Sequence, residues 1–163
     1  MSIVITQPTE LAHWYSIIAD AQASADIFLQ TDCESYLVFL LLRFCTQPEL
    51  ANSVIAEEFL KSEQLIGSHR LTCLQIVGDK CLLFAGLFPE RAQRKRVNPD
   101  YFINMGRTAY GQVSHGVDDF PPLNHYFQHM TVVLQSLRQD KYQHPLYRPN
   151  LDRLIALGDQ ITH

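Results

Sequence analysis

The chain has 163 residues, 47% hydrophobic and 18% charged, with a formal net charge of −4. That length is the usual size of one domain and can bury roughly 70% of its unfolded surface. The acidic balance argues against a general nucleic-acid coat, because phosphate binding needs a basic face that releases counterions. Any anion site must be local.

The four cysteines, Cys33, Cys45, Cys73 and Cys81, form no CxxC pair. Cys73 and Cys81 would stand roughly 12 Å apart along one helix, beyond disulfide reach. Buried reduced thiols of a cytoplasmic protein are the simplest reading. The N-terminus MSIVITQPTE lacks a basic region and a signal-length apolar stretch. No run approaches the roughly 18 residues of a membrane span.

Pro8 and Thr9 open a first helix in which Leu11, Trp14, Ile18, Ala21 and Ala25 recur at helical spacing; Ile3, Val4 and Ile5 before it are too short a run for a strand. Thr31 followed by Glu34 has the capping-box pattern and precedes an apolar run to Leu42, a helix buried almost all round until Arg43. Pro48 begins a third helix that carries Leu50, Val54, Ile55 and Phe59 inward, with Glu57 and Lys61 as an i,i+4 pair. Gly67 separates it from the next helix, and Ser68 is placed to cap that helix.

From His69 to Phe88 the residues Leu71, Leu74, Val77, Cys81, Phe84 and Phe88 fall three and four apart, which predicts a helix of about five turns. Its second half is apolar nearly all round, as in a helix covered on several sides. Gly78 and Gly86 each cost roughly 1 kcal/mol relative to Ala, and predict close approach by another backbone. Pro89 stops the helix near Phe88. A turn then presents Arg91, Arg94, Lys95 and Arg96. Asn98 caps the next helix, with Pro99 at its first position and Asp100 complementing its positive end.

The segment LLFAGLFPERAQRKRVNPDYFINMGRTAYG, with ESYLVFLLLRF upstream, resembles a family of small, functionally uncharacterised bacterial proteins, mainly proteobacterial. The resemblance covers about half the chain, rests on packing and capping residues, and implies an all-helical fold and a bacterial origin. It implies no activity and no catalytic residues.

Phe102, Met105, Gly106, Ala109 and Val113 form an inner face of the helix that Gly116 ends. Residues 118–122 make a turn and a helix start together. The helix over 123–138 then has the clearest amphipathic pattern in the chain, through Leu123, Tyr126, Phe127, Met130, Val133, Leu134 and Leu137. Residues 141–149 read as a surface loop, and Asn150 caps a short last helix through Leu157. The expected fold is therefore all-α: a single-domain, irregular antiparallel bundle of about seven helices over residues 1–163.

Three constellations carry possible chemistry. Arg91, Arg94, Lys95 and Arg96, with Arg107 in the next helix, are the most unusual charge feature of an acidic chain. A solvated turn balanced by Glu90 and Asp100 is the ordinary explanation; an anion-binding or partner-docking patch lined by Tyr101 and Tyr110 is the functional one, against core and interfacial packing as the ordinary role of those two rings. His125 and His129, four apart, would share one helix face and could hold a metal, although no HExxH glutamate accompanies them and half-exposed structural histidines are the ordinary explanation. Glu10 and His13 give one ExxH, where a di-iron bundle needs two. Cys33 sits in a first helical turn, where the dipole favours a thiolate, but Asp32 and Glu34 oppose it.

No P-loop, GxGxxG, GxSxG or metal-spaced cysteine set is present. The reading is a non-enzymatic interaction or regulatory protein that docks a partner or an anionic ligand through the basic turn. It needs no cofactor and has self-association open to it. The alternative is a metal- or small-molecule-dependent helical enzyme with a pocket near His125 and His129.

Overall fold

The computed structural model describes residues 2–46, 55–88, 98–139 and 156. Among these the chain forms six helices and no strand: α1 (Ser2–Ala25), α2 (Thr31–Thr46), α3 (Ile55–Glu63), α4 (Gly67–Gly86), α5 (Pro99–Gly116) and α6 (Phe127–Gln139). The count differs from the seven expected. The last expected helix, from Asn150, lies outside the described residues, as do the expected start of α3 at Pro48 and the loop over 141–149.

The central position of α4 follows from its composition. Every residue from 77 to 86 is buried, and the helix packs against α3, α5 and α6 while α1 joins α2 and α6 around it. Leu74, Val77, Cys81 and Leu82 are fully enclosed, with Leu37, Val38 and Leu41 of α2 in the same core. Enclosing one such leucine stabilises by about 2–3 kcal/mol. Two carbonyls near the end of α4 find donors on α6: Arg138 Nη1 donates to Leu87 O and Gln135 Nε2 to Ala85 O. These serve acceptors that a helix end leaves without intrahelical partners.

Glycine positions set the close approaches, but the approaching group is a side chain and not the backbone expected. A Cβ on Gly78 would lie 2.4 Å from the Tyr110 ring, and one on Gly86 would lie 2.7 Å from Leu134. The Phe127 ring covers Gly106 at 2.5 Å in the same way. Ring and leucine thus fill the space that an absent methyl leaves.

Helix ends depart from expectation in three places. Helix α1 begins at Ser2 and continues through Pro8; local propensity is a weak prior that context overrides. Helix α4 begins at Gly67, whose φ of +62° suits glycine, with Ile66 and not Ser68 at the cap position. Helix α6 begins at Phe127 and not at 123, because the chain after Pro121 and Pro122 closes turns first, Leu123 N to Pro121 O and His125 N to Pro122 O. The Asn98 cap forms as expected, its Oδ1 accepting from Asp100 N at 3.0 Å.

Candidate functional site

Thr72, Gln75, Ile76, Asp79, Lys80 and Leu83 follow one another at spacings of three and four residues or adjacent to them, so they share one face of α4. Leu40 and Arg43, three apart, face them from α2. The two backbones come close at almost no point. Side chains bridge the gap, and between them lies a cavity of about 270 Å³ lined by these eight residues. Leu40 and Leu83 give it deep apolar walls, each 1% exposed.

Asp79 is the costly member of this face. A buried carboxylate without partners is unstable by far more than one hydrogen bond recovers, and here three donors converge on it. Tyr36 and Tyr110 each donate a hydroxyl to Oδ1 at 2.6 Å, and Arg43 Nη2 donates to Oδ2 at 2.7 Å. Gln75 Nε2 donates in turn to the Tyr36 oxygen at 2.9 Å. Distances this short are those of charge-assisted bonds.

The local fold explains the convergence. Gly78, beside Asp79, leaves room for the Tyr110 ring from α5 to lie on α4. The Tyr36 ring meets Tyr110 edge-on, and both pack near Phe120. Burial pushes the Asp79 carboxyl above its usual range, and the hydroxyls of Tyr110 and Tyr36 and the Arg43 guanidinium pull it back down. Burial first, and then the Asp79 charge, push both tyrosines well above theirs. Both phenols therefore keep their protons and remain donors.

Oδ1 serves two hydroxyls and Oδ2 a guanidinium, so the carboxylate is occupied as an anchor. What it anchors is Arg43, whose side chain is 43% exposed while that of Asp79 is 10% exposed. The guanidinium is a planar fork of five donors, and one of its faces is fixed by Asp79 beside the cavity. Lys80 adds a second cationic side chain to the lining and is 3% exposed.

Sequence reading missed this site because it scored α4 by its apolar positions. The available signal was the charged pair Asp79 and Lys80 inside a helix read as covered on all sides, where charged residues are almost never fully buried unless paired.

The expected site residues fall elsewhere. Arg91, Arg94, Lys95 and Arg96 lie outside the described residues. Tyr101 and Arg107 are exposed on α5. Tyr110 lines no surface: it is 0% exposed and bound to Asp79, because the glycine opposite draws its ring inward. His125 and His129 are both exposed, but they do not share a helix, since His125 belongs to the turns before α6. Among the described residues no group of three or more His, Cys, Asp or Glu side chains is arranged to hold a metal.

Arg107 and His125 do come together. With Asn104, Thr108 and Asn124 they line a shallow recess of about 470 Å³ between α5 and the turns before α6. The buried Oδ1 of Asn124 has no hydrogen-bond partner among the described residues. An unmet buried acceptor of that kind costs about 1–3 kcal/mol.

Searches against protein-family models, curated proteins and solved structures returned no match for this chain. The class of site thus rests on geometry alone: an apolar cleft between two helices, with an arginine oriented from behind by a buried carboxylate.

Proposed function

We propose that the protein is a non-enzymatic binding protein of regulatory type, and that its ligand occupies the cleft between α2 and α4. The ligand is a small molecule with an apolar body and a single carboxylate. Arg43, fixed by Asp79 at the edge of the cavity, is the observation that carries this reading, because a preorganised guanidinium fork matches a carboxylate while Leu40, Ile76 and Leu83 match a hydrocarbon.

At roughly 30 Å³ per water-sized group, a cavity of about 270 Å³ holds about nine non-hydrogen atoms. Benzoate and hexanoate are of that size. At about −0.5 kcal/mol per atom, within the range for small ligands, the affinity falls near 0.5 mM. The basic stretch Arg91, Arg94, Lys95 and Arg96 is proposed to dock a partner, on its charge density alone; the buried free thiols suit a cytoplasm, and a bacterial origin is what the family resemblance implies.

Titration calorimetry with benzoate and hexanoate tests the cleft, with hexanol and hexylammonium as neutral and cationic controls. The expected result is saturable one-to-one binding of the acids, weakened at least tenfold by Arg43→Gln with the fold intact. Equal binding of hexanol, or undiminished binding by the variant, would overturn the proposal.

A further inference from the structure

The cleft between α2 and α4 has a second polar position, and its sense is fixed by the Asp79 cluster. Tyr36 gives its proton to Asp79 Oδ1 at 2.6 Å, so its oxygen can only accept, and it accepts from Gln75 Nε2 at 2.9 Å. An amide that gives its nitrogen to Tyr36 turns its carbonyl the other way. Gln75 is half-buried and lines the cleft. Its Oε1 accepts from none of the described residues, and it is not one of their enclosed, unpartnered atoms, which are Trp14 Nε1 and Asn124 Oδ1. Gln75 Oε1 is therefore an open acceptor. Thr72, one turn earlier in the same lining, repeats the pattern: its hydroxyl donates to Ser68 O at 3.0 Å, which leaves its oxygen to accept.

The two ends of the cleft ask for opposite groups. At the level of Asp79 the lining is cationic, with Arg43 and Lys80. One to two turns toward the N-terminus of α4, about 6–10 Å along the axis, Gln75 and Thr72 offer acceptors. Resting on the reading that Arg43 takes a carboxylate, we propose that the ligand carries a hydroxyl at the end opposite its carboxylate, and that Gln75 selects for this group by accepting its hydrogen bond. A hydroxyl suits the site better than an ammonium, because Arg43 and Lys80 already outnumber Asp79 in the lining. A benzene ring with the two groups on opposite carbons spans the distance, its body against Leu40 and Ile76.

Titration of the full chain with benzoate, 4-hydroxybenzoate, 2-hydroxybenzoate and 4-methoxybenzoate tests this. The 2-hydroxy isomer has the same atoms with the hydroxyl at the wrong end, and the methoxy acid places an acceptor where a donor is required. One hydrogen bond between neutral groups corresponds to a gain of about three- to tenfold. That gain over benzoate is expected for the 4-hydroxy acid and for neither of the others. In Gln75→Leu, benzoate and 4-hydroxybenzoate should bind equally; the ligand series in the wild type decides the matter even if this variant fails to fold. No gain from the 4-hydroxyl, an equal gain from the methoxy group, or a gain that survives Gln75→Leu would each overturn the assignment and leave the carboxylate site standing. Absence of binding by all four acids would instead remove that site and this inference together.

Discussion

Removing one hydroxyl from the Asp79 cluster is the sharpest test of its energetics. In Tyr110→Phe the ring stays against Gly78 and Phe127, and only the 2.6 Å bond to Oδ1 is lost. A hydrogen bond to a charged group contributes about 1.5–3 kcal/mol net. With Tyr36 still on Oδ1, we expect a loss of about 2 kcal/mol near pH 8. For a chain of this length that lowers Tm by about 4–8 °C, and the urea midpoint by about 1 M if m is near 2 kcal/mol/M. The loss should depend on pH with a definite sign. Asp79 has its carboxyl raised in the folded state, so the folded chain binds more protons and stability falls as pH rises from about 4 through the folded value. Removing a donor that favoured the carboxylate raises that value further. The difference between variant and wild type should therefore be smallest near pH 4.5 and largest near pH 8. The other groups around Asp79, namely Tyr36 and Arg43 on α2 and Lys80 and Cys81 on α4, are common to both proteins and largely cancel. A difference below about 0.5 kcal/mol at pH 8, or one that grows as pH falls, would refute the account of Asp79 as an ionised anchor.

Three further perturbations have definite outcomes. Gly78→Ala gains about 1 kcal/mol of helix propensity but drives a methyl to within 2.4 Å of the Tyr110 ring. Net destabilisation of about 1–2 kcal/mol by overpacking is expected, whereas Gly111→Ala, with its nearest neighbour at 3.5 Å, should be neutral or stabilising in thermal melts. Arg43→Gln leaves the buried Asp79 carboxylate with its two hydroxyl donors alone and should cost about 1–3 kcal/mol by urea titration at pH 8, with the fold retained; a loss below about 0.5 kcal/mol would show that the half-exposed guanidinium is screened by solvent. Cys33 has its thiol pushed up to about 11 by burial and by Asp32, and burial raises Cys81 further still. At pH 8 Cys33 should react with an aromatic disulfide roughly two orders of magnitude more slowly than a thiol of pKa near 8.5, and Cys81 more slowly again, until urea unfolds the chain.

What the sequence made legible was what nearest neighbours decide. Asn98 and Pro99 form a cap because the accepting side chain and the donating amide are two residues apart. The enclosure of α4 followed from its apolar periodicity, and the glycines at 78 and 86 announced a close approach, though of side chains and not of the backbone expected. The identity of the approaching group did not follow, since Tyr110 is far along the chain from Gly78. The Asp79 cluster was illegible for the same reason: its partners stand 43, 36 and 31 residues away. Tyr110 had two readings, core packing as the ordinary one and lining for the basic patch as the functional one, and its neighbourhood in space, a helix face without a side chain, makes it core. His125 and His129 were paired by a helical period that the two prolines before them interrupt.

A buried charged cluster is a poor way to hold helices together, and that makes its presence informative. Well-packed apolar residues of similar volume often match or exceed a buried ion pair in stability, by about 1–4 kcal/mol. The triple variant Tyr36→Phe, Asp79→Leu, Tyr110→Phe should therefore fold with a urea midpoint at or above that of the wild type. It also frees Arg43, which then has no anchor across the cleft. If Asp79 serves to aim Arg43, this variant loses carboxylate binding at least as completely as Arg43→Gln while its stability holds or rises. A stable variant with undiminished affinity would show that the guanidinium needs no aiming. A variant less stable than wild type by more than about 3 kcal/mol would show that the polar cluster is structural in its own right. Stability and recognition respond in opposite directions only if the carboxylate was placed there for the arginine.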